Sequence, residues 1–231
     1  MLLLAIDTAT PRVSVALGRG GRVLGDVSLD GGRRHAEQLA PAIEYLCAEL
    51  DVELDHLAAI AVGLGPGLFT GLRVGVTTAR VMAQSLRVPV IGVPSLDLIA
   101  YPLRYTSRVI VPVVDARRHE IFFACYRPVP GGVQRITDYE VRSPDGLAGE
   151  LAARGEDALL AGDGALRYES ELGKLDRVEL AGPGAALPSA AALVELASAR
   201  YEREEFCPPD EVHPLYLRRS DAEIEWEKRG R

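Results

Sequence analysis

The sequence is poor in cysteine and has no long apolar run. Its 231 residues include three cysteines, Cys47, Cys125 and Cys207, which are widely spaced and form no CxxC pair. This pattern favours reduced thiols in a cytoplasmic protein over a disulfide framework or a zinc site. No stretch of about 18 uninterrupted apolar residues occurs, so we expect no membrane span. The apolar start of the chain is short and lacks a basic flank, which indicates a buried strand rather than a signal peptide.

Basic residues are outnumbered by acidic ones. The chain carries 26 lysines and arginines against 33 acidic residues, which gives a formal net charge of -7. A protein that binds RNA unaided usually presents a basic face. The arginine pairs Arg33–Arg34, Arg117–Arg118 and Arg218–Arg219 are isolated and are interpreted as solvated loop ends. If RNA is involved, a partner must supply most of the positive surface.

The order of the predicted elements indicates a mixed α/β protein. Three strand-like runs at the start, separated by short turns, predict an antiparallel meander. Two segments with helical periodicity follow, at 34–50 and 71–86, with short strands between and after them. Helices that cover a central sheet are the layout that this order predicts. The second half partly repeats it, with strands at 109–114, 121–126, 133–141 and 158–161 and helices at 145–153 and 189–203.

The most unusual segment runs from Gly63 to Arg73 and reads GLGPGLFTGLR. A glycine-rich turn before a helix can hold an anion on its free amide groups. This one lacks the Gly-Lys-Ser/Thr of a P-loop and the GxGxxG spacing of dinucleotide loops. Gly67, Gly71 and Gly75 are four residues apart, so one helix face is nearly bare and permits close approach of another helix. We favour packing or a helix–helix interface over anion binding.

Three other positions suggest catalysis or metal binding, and each has a simpler interpretation. Asp7 and Thr8 end the first strand where actin-like ATPases contact phosphate, but an Asx or Ser/Thr turn also explains them. His35 lacks the further ligands of a metal site and is interpreted as a surface residue at a helix start. Asp115 can hold a metal-bound phosphate or pair with a neighbouring arginine. No GxSxG elbow or other nucleophile–base motif is present, so the residues alone indicate no catalytic centre.

Several segments together resemble one family. They are LLAIDTAT, RRHAEQLAPAI, GLGPGLFTGLRVGVTTAR, VVDARRHEIFFACY, AGDGA and PLYLRR. By these motifs the chain is similar to the TsaB family, also called YeaZ, from Leu2 to Arg219. The glycine-rich motif is highly specific, and the others are individually weak but occur in the right order. The chain departs from the family pattern at Leu68, where Ser is common, and at His119, where a small residue is common.

The resemblance implies the actin/Hsp70/sugar-kinase fold. This α/β fold has two lobes of the ribonuclease-H-like type with mixed sheets, and the second lobe is reduced in this chain. Residues 1–103 are expected to form the first lobe, and residues 104–220 the second. The helix at 189–203 is expected to pack back on the first lobe, and residues 221–231 to form a charged tail.

The resemblance also implies an accessory role. In this family TsaB and the catalytic subunit TsaD transfer a threonylcarbamoyl group to the adenosine beside the tRNA anticodon, and an ATPase subunit, TsaE, completes the assembly. This chain lacks the histidine motif with which TsaD binds its metal. We therefore expect a non-catalytic scaffold with no metal and no cofactor, which reaches tRNA only through the complex. The alternatives are an actin-fold ATPase or kinase acting by itself and a peptidase.

Family members pair with TsaD through helices of the first lobe, which are the segments at 34–50 and 71–86 here. The predicted interface residues are His35, Leu39, Ile43, Leu46, Gly71, Val74, Gly75, Thr78, Val81 and Met82. Without TsaD, the same surface is expected to pair two copies as a homodimer. The residues assigned to a vestigial phosphate-binding site are Asp7, Thr8, Gly65, Gly67 and Asp115. Val74→Glu or Gly75→Leu should break TsaD binding without unfolding the chain.

Overall fold

The computed structural model describes residues 1–32 and 34–218. Arg33, Arg219 and the predicted charged tail at 221–231 lie outside the described residues. The described strands, numbered along the chain, are β1 (Leu2–Asp7), β2 (Arg12–Arg19), β3 (Arg22–Asp30), β4 (Ala59–Gly63), β5 (Val90–Val93), β6 (Val109–Arg117), β7 (Glu120–Phe123), β8 (Tyr126–Val129), β9 (Gly132–Arg135), β10 (Glu140–Arg142), β11 (Ala158–Ala161) and β12 (Val178–Leu180). The described helices are α1 (His35–Glu49), α2 (Phe69–Leu86), α3 (Ser95–Ala100), α4 (Pro144–Arg154), α5 (Asp163–Arg167), α6 (Glu169–Leu172) and α7 (Ala190–Glu202).

The first sheet has the strand order β3-β2-β1-β4-β5. β1, β2 and β3 are antiparallel neighbours, which confirms the predicted meander. β4 and β5 continue the sheet parallel to β1. Every residue of β1 is buried, so the strand predicted at the start of the chain is also confirmed.

The second sheet repeats this plan with the order β10-β7-β6-β11-β12, to which the β8–β9 hairpin is added beside β6. β7 is antiparallel to β6, whereas β11 and β12 run parallel to it. Two mixed sheets of the same topology confirm the predicted two-lobe α/β fold. The strands predicted at 121–126 and 133–141 are wrong, because each predicted segment falls on two separate strands of the structure. The second is divided because β9 pairs with β8 whereas β10 pairs with β7.

Helices cover both faces of the first sheet. On one face, α1 and α2 pack against Leu4 of β1, and on the other face α7 packs against Leu3. Side chains alternate between the two faces along a strand, so both sets become buried. The Ser14 hydroxyl accepts a hydrogen bond from Ala190 N at 2.9 Å, which ties the start of α7 to β2.

Contacts of α3 join the two lobes, because this helix packs into the apolar cluster of the second sheet. Asp97 Oδ1 accepts hydrogen bonds from the hydroxyl groups of Tyr126 at 2.7 Å and Tyr139 at 2.9 Å. The Arg200 guanidinium lies 3.6 Å from Asp97 Oδ2. Burial, together with the charge of Asp97, raises the pKa of both tyrosines, so their hydroxyl groups remain donors.

The predicted helices agree closely with the structure. α1 and α2 differ from the predicted segments at 34–50 and 71–86 by one or two residues at their ends. α7 matches the predicted helix at 189–203, with the Ser189 side chain accepting a hydrogen bond from Ala191 N as its N-cap. No helix among the described residues is both long and apolar enough to span a bilayer.

Candidate functional site

The turn after β1 is buried beneath other segments of the first lobe. Asp7, Thr8 and Thr10 each have 1% of their surface exposed. The Asp7 carboxylate accepts hydrogen bonds from the Ser95 hydroxyl at 2.7 Å and from Ala9 N at 3.1 Å. Burial raises the pKa of Asp7 to about 6, and these two hydrogen bonds partly offset the rise. The carboxylate is therefore held within the chain rather than presented to a ligand.

Ser95, at the start of α3, contacts this turn, and the sequence interpretation missed that contact. Its hydroxyl donates to Asp7 and accepts a hydrogen bond from Gly65 N at 3.1 Å. Ser95 thus connects β1 to the glycine-rich segment. A serine at a helix start is usually explained by capping, and no local pattern links it to a carboxylate 88 positions earlier.

The glycine-rich segment lies directly on this turn. Leu68 N donates a hydrogen bond to Ala9 O at 2.7 Å. A Cβ atom at Gly67 would lie 2.1 Å from Ala9 O, and one at Gly71 would lie 2.1 Å from Thr8 O. No side chain fits in contacts this short, so both positions require glycine for the close approach of the segment to the turn.

The contact continues one helical turn further along α2. A Cβ atom at Gly75 would lie 2.2 Å from Thr8 Oγ1, and this hydroxyl donates a hydrogen bond to Gly71 O at 2.8 Å. The bare face therefore serves close packing, but against a turn of the same lobe and not against another helix. Gly71 and Gly75 are buried within the chain, so their predicted contact with a partner stays a prediction that this burial does not support. Gly75→Leu would disturb the lobe itself and cannot test an interface.

Four further residues of the predicted interface belong to the core of the first lobe. His35 begins α1 as expected, but it is buried, with Nε2 2.7 Å from Thr10 O, and is not a surface residue. Leu39, Ile43 and Leu46 pack in the apolar cluster between α1 and the first sheet. The sheet of the same lobe covers these three side chains, so their predicted contact with a partner stays a prediction that the packing does not support.

The remaining predicted residues lie on α2 and keep part of their surface exposed, although Val74 and Met82 also pack against the core. Val74, Thr78 and Met82 are half-buried, and Val81 is 60% exposed. α1 adds Tyr45, which is 57% exposed and which the sequence interpretation missed because it lies off the apolar stripe of that helix. We call these five residues the outer helical face.

Asp115, in β6 of the second lobe, is almost completely buried. It accepts a hydrogen bond from Arg117 N at 2.9 Å and forms ion pairs with the guanidinium groups of Arg117 at 3.2 Å and Arg167 at 3.7 Å. Asp163 accepts a hydrogen bond from Asp115 N at 3.0 Å, and burial raises the pKa of Asp163 to about 6. Of the two sequence alternatives for Asp115, pairing with a neighbouring arginine is the one that the structure contains.

A small cavity of about 90 Å³ lies between the glycine-rich segment and the second lobe. Its lining residues are Gly67, Leu68, Phe69, Asp115, Ala116, Arg117, Phe122, Leu215, Tyr216, Leu217 and Arg218. Ligand pockets usually measure roughly 300–1,000 Å³, so this cavity has room for a few water molecules but not for a nucleotide. Of the predicted phosphate-binding residues, Gly67 and Asp115 line it, whereas Asp7, Thr8 and Gly65 are not among the lining residues.

One group of side chains within residues 1–32 and 34–218 has the composition and spacing of metal ligands. It comprises Glu53, Asp55 and His56, all exposed, in the short segment between α1 and β4. None of these residues belongs to the predicted site. Exposed acidic groups of this kind are common without a bound ion, so the group adds nothing to the site described above.

Comparisons with known proteins find matches among two related proteins of tRNA threonylcarbamoyladenosine biosynthesis. A family model for TsaD, described as tRNA N6-adenosine threonylcarbamoyltransferase, matches residues 29–226. The tRNA threonylcarbamoyladenosine biosynthesis protein TsaB of Bacillus subtilis is 32% identical over 234 residues, which cover 98% of each chain. Both matches span most of the length of the present chain.

Solved structures agree as well. YeaZ from Pseudomonas aeruginosa has a TM-score of 0.81 and 32% identity, and the match covers 94% of this chain and 99% of that one. The activator of 2-hydroxyisocaproyl-CoA dehydratase from Clostridium difficile has a TM-score of 0.50 at 8% identity, over 94% of this chain and 100% of that one. The second likeness concerns the fold alone. The actin/Hsp70/sugar-kinase fold expected from the sequence is confirmed.

Proposed function

This chain belongs to the TsaB family, also called YeaZ, and on that premise we propose that it is a non-catalytic subunit that acts with TsaD in tRNA threonylcarbamoyladenosine biosynthesis. In this proposal TsaD transfers the threonylcarbamoyl group to the adenosine beside the anticodon, and the present chain activates TsaD as a scaffold. The names of the relatives support the pathway. The geometry of the first lobe supports the accessory role.

The observation that carries the accessory role is the burial of the turn after β1. Asp7 and Thr8 stand where actin-like ATPases contact phosphate, but here the glycine-rich segment occupies the space beside them. A nucleotide would have to displace buried backbone contacts such as the hydrogen bond from Leu68 N to Ala9 O. Breaking such bonds without replacement is costly. The interlobe cavity, at about 90 Å³, is also too small for a nucleotide.

The outer helical face supports a role in partner binding. Val81 and Tyr45 are large apolar or amphipathic residues that stay more than half exposed on neighbouring helices. Exposed apolar groups of this kind gain free energy when a partner covers them. In the proposal this face contacts TsaD, and in the absence of TsaD it pairs two copies as a homodimer. TsaE completes the assembly, and the complex meets tRNA in the cytoplasm.

Reconstitution of the modification reaction tests the proposal. TsaD and TsaE would be incubated with tRNA and the preformed threonylcarbamoyl adenylate, with and without this chain, and the modified nucleoside would be measured by mass spectrometry. We expect modification only when TsaD and this chain are both present, and no turnover of nucleotide by this chain alone. Nucleotide hydrolysis by the isolated chain that is lost in Asp7→Asn would contradict the proposal and favour an actin-fold ATPase.

Val81→Glu tests the outer helical face. The substitution places a charge at the centre of the proposed contact, and desolvation of that charge should weaken TsaD binding by about tenfold or more. Val129→Glu is the matched control, since Val129 is also an exposed valine but lies in β8 of the second lobe. Affinity would be measured by titration calorimetry. Equal affinities for the two variants would remove the outer helical face from the proposed interface.

A further inference from the structure

One face of α2 carries three arginines. Arg73, Arg80 and Arg87 are seven residues apart, close to two helical turns, so their side chains share one side of α2 and its C-cap. Arg73 and Arg87 are exposed, and Arg80 is half-buried. No aspartate or glutamate occurs in α2. We call these three arginines the cationic stripe.

The cationic stripe has no acidic partner in the part of the chain that the structure describes. None of its arginines forms an ion pair there, whereas arginines such as Arg12 and Arg127 do. Arg73 lies 4.0 Å from the centre of the Phe69 ring, a contact that leaves its charge without a counter-ion. In a chain of net charge -7, three arginines on one face without carboxylates create a local positive field that attracts an anionic group.

A groove of about 690 Å³ lies beside the second half of the cationic stripe. Arg80 and Arg87 line it, and so does Asp210, which forms no ion pair with either arginine. The segment after α7 adds an apolar surface, which consists of Phe206, Pro208 and Pro209. Guanidinium groups beside an apolar surface suit a peptide segment that carries both carboxylates and a large apolar side chain.

The last described residues bring the chain to the start of the cationic stripe. The ring centroid of Tyr216 lies 4.9 Å from that of Phe69, which begins α2 four residues before Arg73. From Phe69 to Arg87, the helix and its C-cap extend about 27 Å, at about 1.5 Å per residue. An extended chain covers about 33 Å between Tyr216 and residue 226. Residue 226 can therefore reach the groove.

Residues 221–227 have the composition that the cationic stripe and its groove require. They read DAEIEWE, in which four of seven side chains are acidic and Ile224 and Trp226 alternate with glutamates. We propose that this acidic segment binds the cationic stripe of the same molecule, with its carboxylates on the arginines and Trp226 in the groove. Single ion pairs at a surface are weak, but attachment to the same chain gives the segment a local concentration in the mM range.

The bound acidic segment would flank the outer helical face. Thr77 and Gln84, the exposed residues between the arginines, lie within about one helical turn of Val81. If TsaD binds the outer helical face, the acidic segment competes with it for this side of α2. This competition rests on the proposed function, whereas the contact with the cationic stripe does not. A segment bound in about nine of ten molecules would weaken TsaD binding about tenfold.

Trp226 is the only tryptophan of the chain, so its fluorescence reports on the acidic segment directly. Its emission maximum and its quenching by acrylamide would be measured in the full chain and in a synthetic peptide of residues 219–231, which serves as the exposed reference. We expect the chain to emit at shorter wavelength and to be quenched less than the peptide. Both differences should shrink at about 1 M salt, where the Debye length falls to about 3 Å.

Charge exchange identifies the two sides of the contact. The stripe variant carries Arg80→Glu and Arg87→Glu, and the segment variant carries Glu225→Arg and Glu227→Arg. Each variant should expose Trp226, because like charges then face each other. All four substitutions in one chain should bury Trp226 again, since opposite charges are restored. An exposed Trp226 in the fourfold variant, with the fold intact by circular dichroism, would decide against the contact.

The matched control carries Arg19→Glu and Arg22→Glu. Both arginines are exposed and form no ion pair with another described residue. They lie at the turn between β2 and β3, on the opposite edge of the first sheet from β5. The control changes the net charge by the same amount as the stripe variant, so a long-range effect of charge would appear in both. The fluorescence of Trp226 in the control should match that of the parent chain.

Titration calorimetry with TsaD tests the competition. The neutralised chain carries Glu223→Gln, Glu225→Gln and Glu227→Gln, and it should bind TsaD about tenfold more tightly than the parent chain. Equal affinities, with Trp226 exposed in the neutralised chain, would overturn the competition. If the parent chain does not bind TsaD at all, the proposed function and the competition fail together, while the fluorescence still decides the contact.

Three fluorescence results would overturn the contact itself. One is a parent chain in which Trp226 is as exposed as in the peptide. Another is a stripe variant in which Trp226 stays buried, which would place the acidic segment elsewhere. The third is an emission maximum that depends on protein concentration, which would place the segment on a second copy.

Discussion

Gly71→Ala probes the contact between α2 and the turn after β1 most directly. The added Cβ atom would lie 2.1 Å from Thr8 O, which is a backbone atom and cannot rotate away. Overpacking a tight site costs about 1–3 kcal/mol, and the upper end applies because backbone must move. The better helix propensity of alanine returns up to about 1 kcal/mol. We therefore expect Gly71→Ala to lower the free energy of unfolding by about 2 kcal/mol.

Gly149→Ala is the matched control, because Gly149 lies in α4 with no atom within 4 Å of an added Cβ. It should stabilise the chain by about 1 kcal/mol. Thermal unfolding followed by circular dichroism should show a Tm lower by about 4–8 °C for Gly71→Ala and higher by about 2–4 °C for the control. An equal rise of Tm in both variants would show that position 71 does not need glycine, and the packing argument would fail.

Two further predictions concern buried polar groups. Burial raises the pKa of Asp7 from 3.8 to about 6, so its contribution to stability is full below pH 3.8 and is lost as pH rises through about 6. In urea titrations, the free energy of unfolding of Asp7→Asn should fall less between about pH 4 and about pH 6 than that of the parent chain. Part of the fall should remain, because burial also raises the pKa of Asp163. The same pH profile in the variant and the parent chain would contradict this prediction. Asp97→Ala leaves the hydroxyl groups of Tyr126 and Tyr139 without their shared acceptor and should lower the free energy of unfolding by about 2 kcal/mol. Asp97→Asn keeps an acceptor oxygen and should lose less, so equal losses in the two variants would refute this reading.

Much of the fold could be predicted from the sequence because its elements have clear periodicity. The apolar run at residues 2–6 predicts a buried strand, which is β1 in the structure. The helical stripe at 71–86 predicts a helix, which is α2. The segment at 133–141 shows the limit of this reasoning. Its residues are continuous in pattern, but β9 and β10 take different neighbours, and strand pairing is decided by contacts distant in sequence.

The candidate site was harder to predict, because periodicity shows which residues share a helix face but not what covers that face. Leu39 and Leu46 form a stripe that a sheet or a partner would bury equally well, and in this chain the sheet buries it. The spacing of Gly71 and Gly75 correctly indicated a close approach. Nothing local indicated that the approaching group is the turn at Thr8, which lies 63 positions before Gly71.

The turn after β1 connects the proposed accessory role with the proposed interface. The Thr8 hydroxyl donates to Gly71 O, and Ala9 O accepts from Leu68 N, so this turn holds the first residues of α2 in place. An α-helix is a regular rod that rises about 1.5 Å per residue. The turn that holds its first residues therefore also sets the direction in which Val81 points. In this chain Thr8 and Ala9 hold the start of the helix that carries the outer helical face. Opening the turn to admit a nucleotide would release that helix, so the two uses of this turn exclude each other.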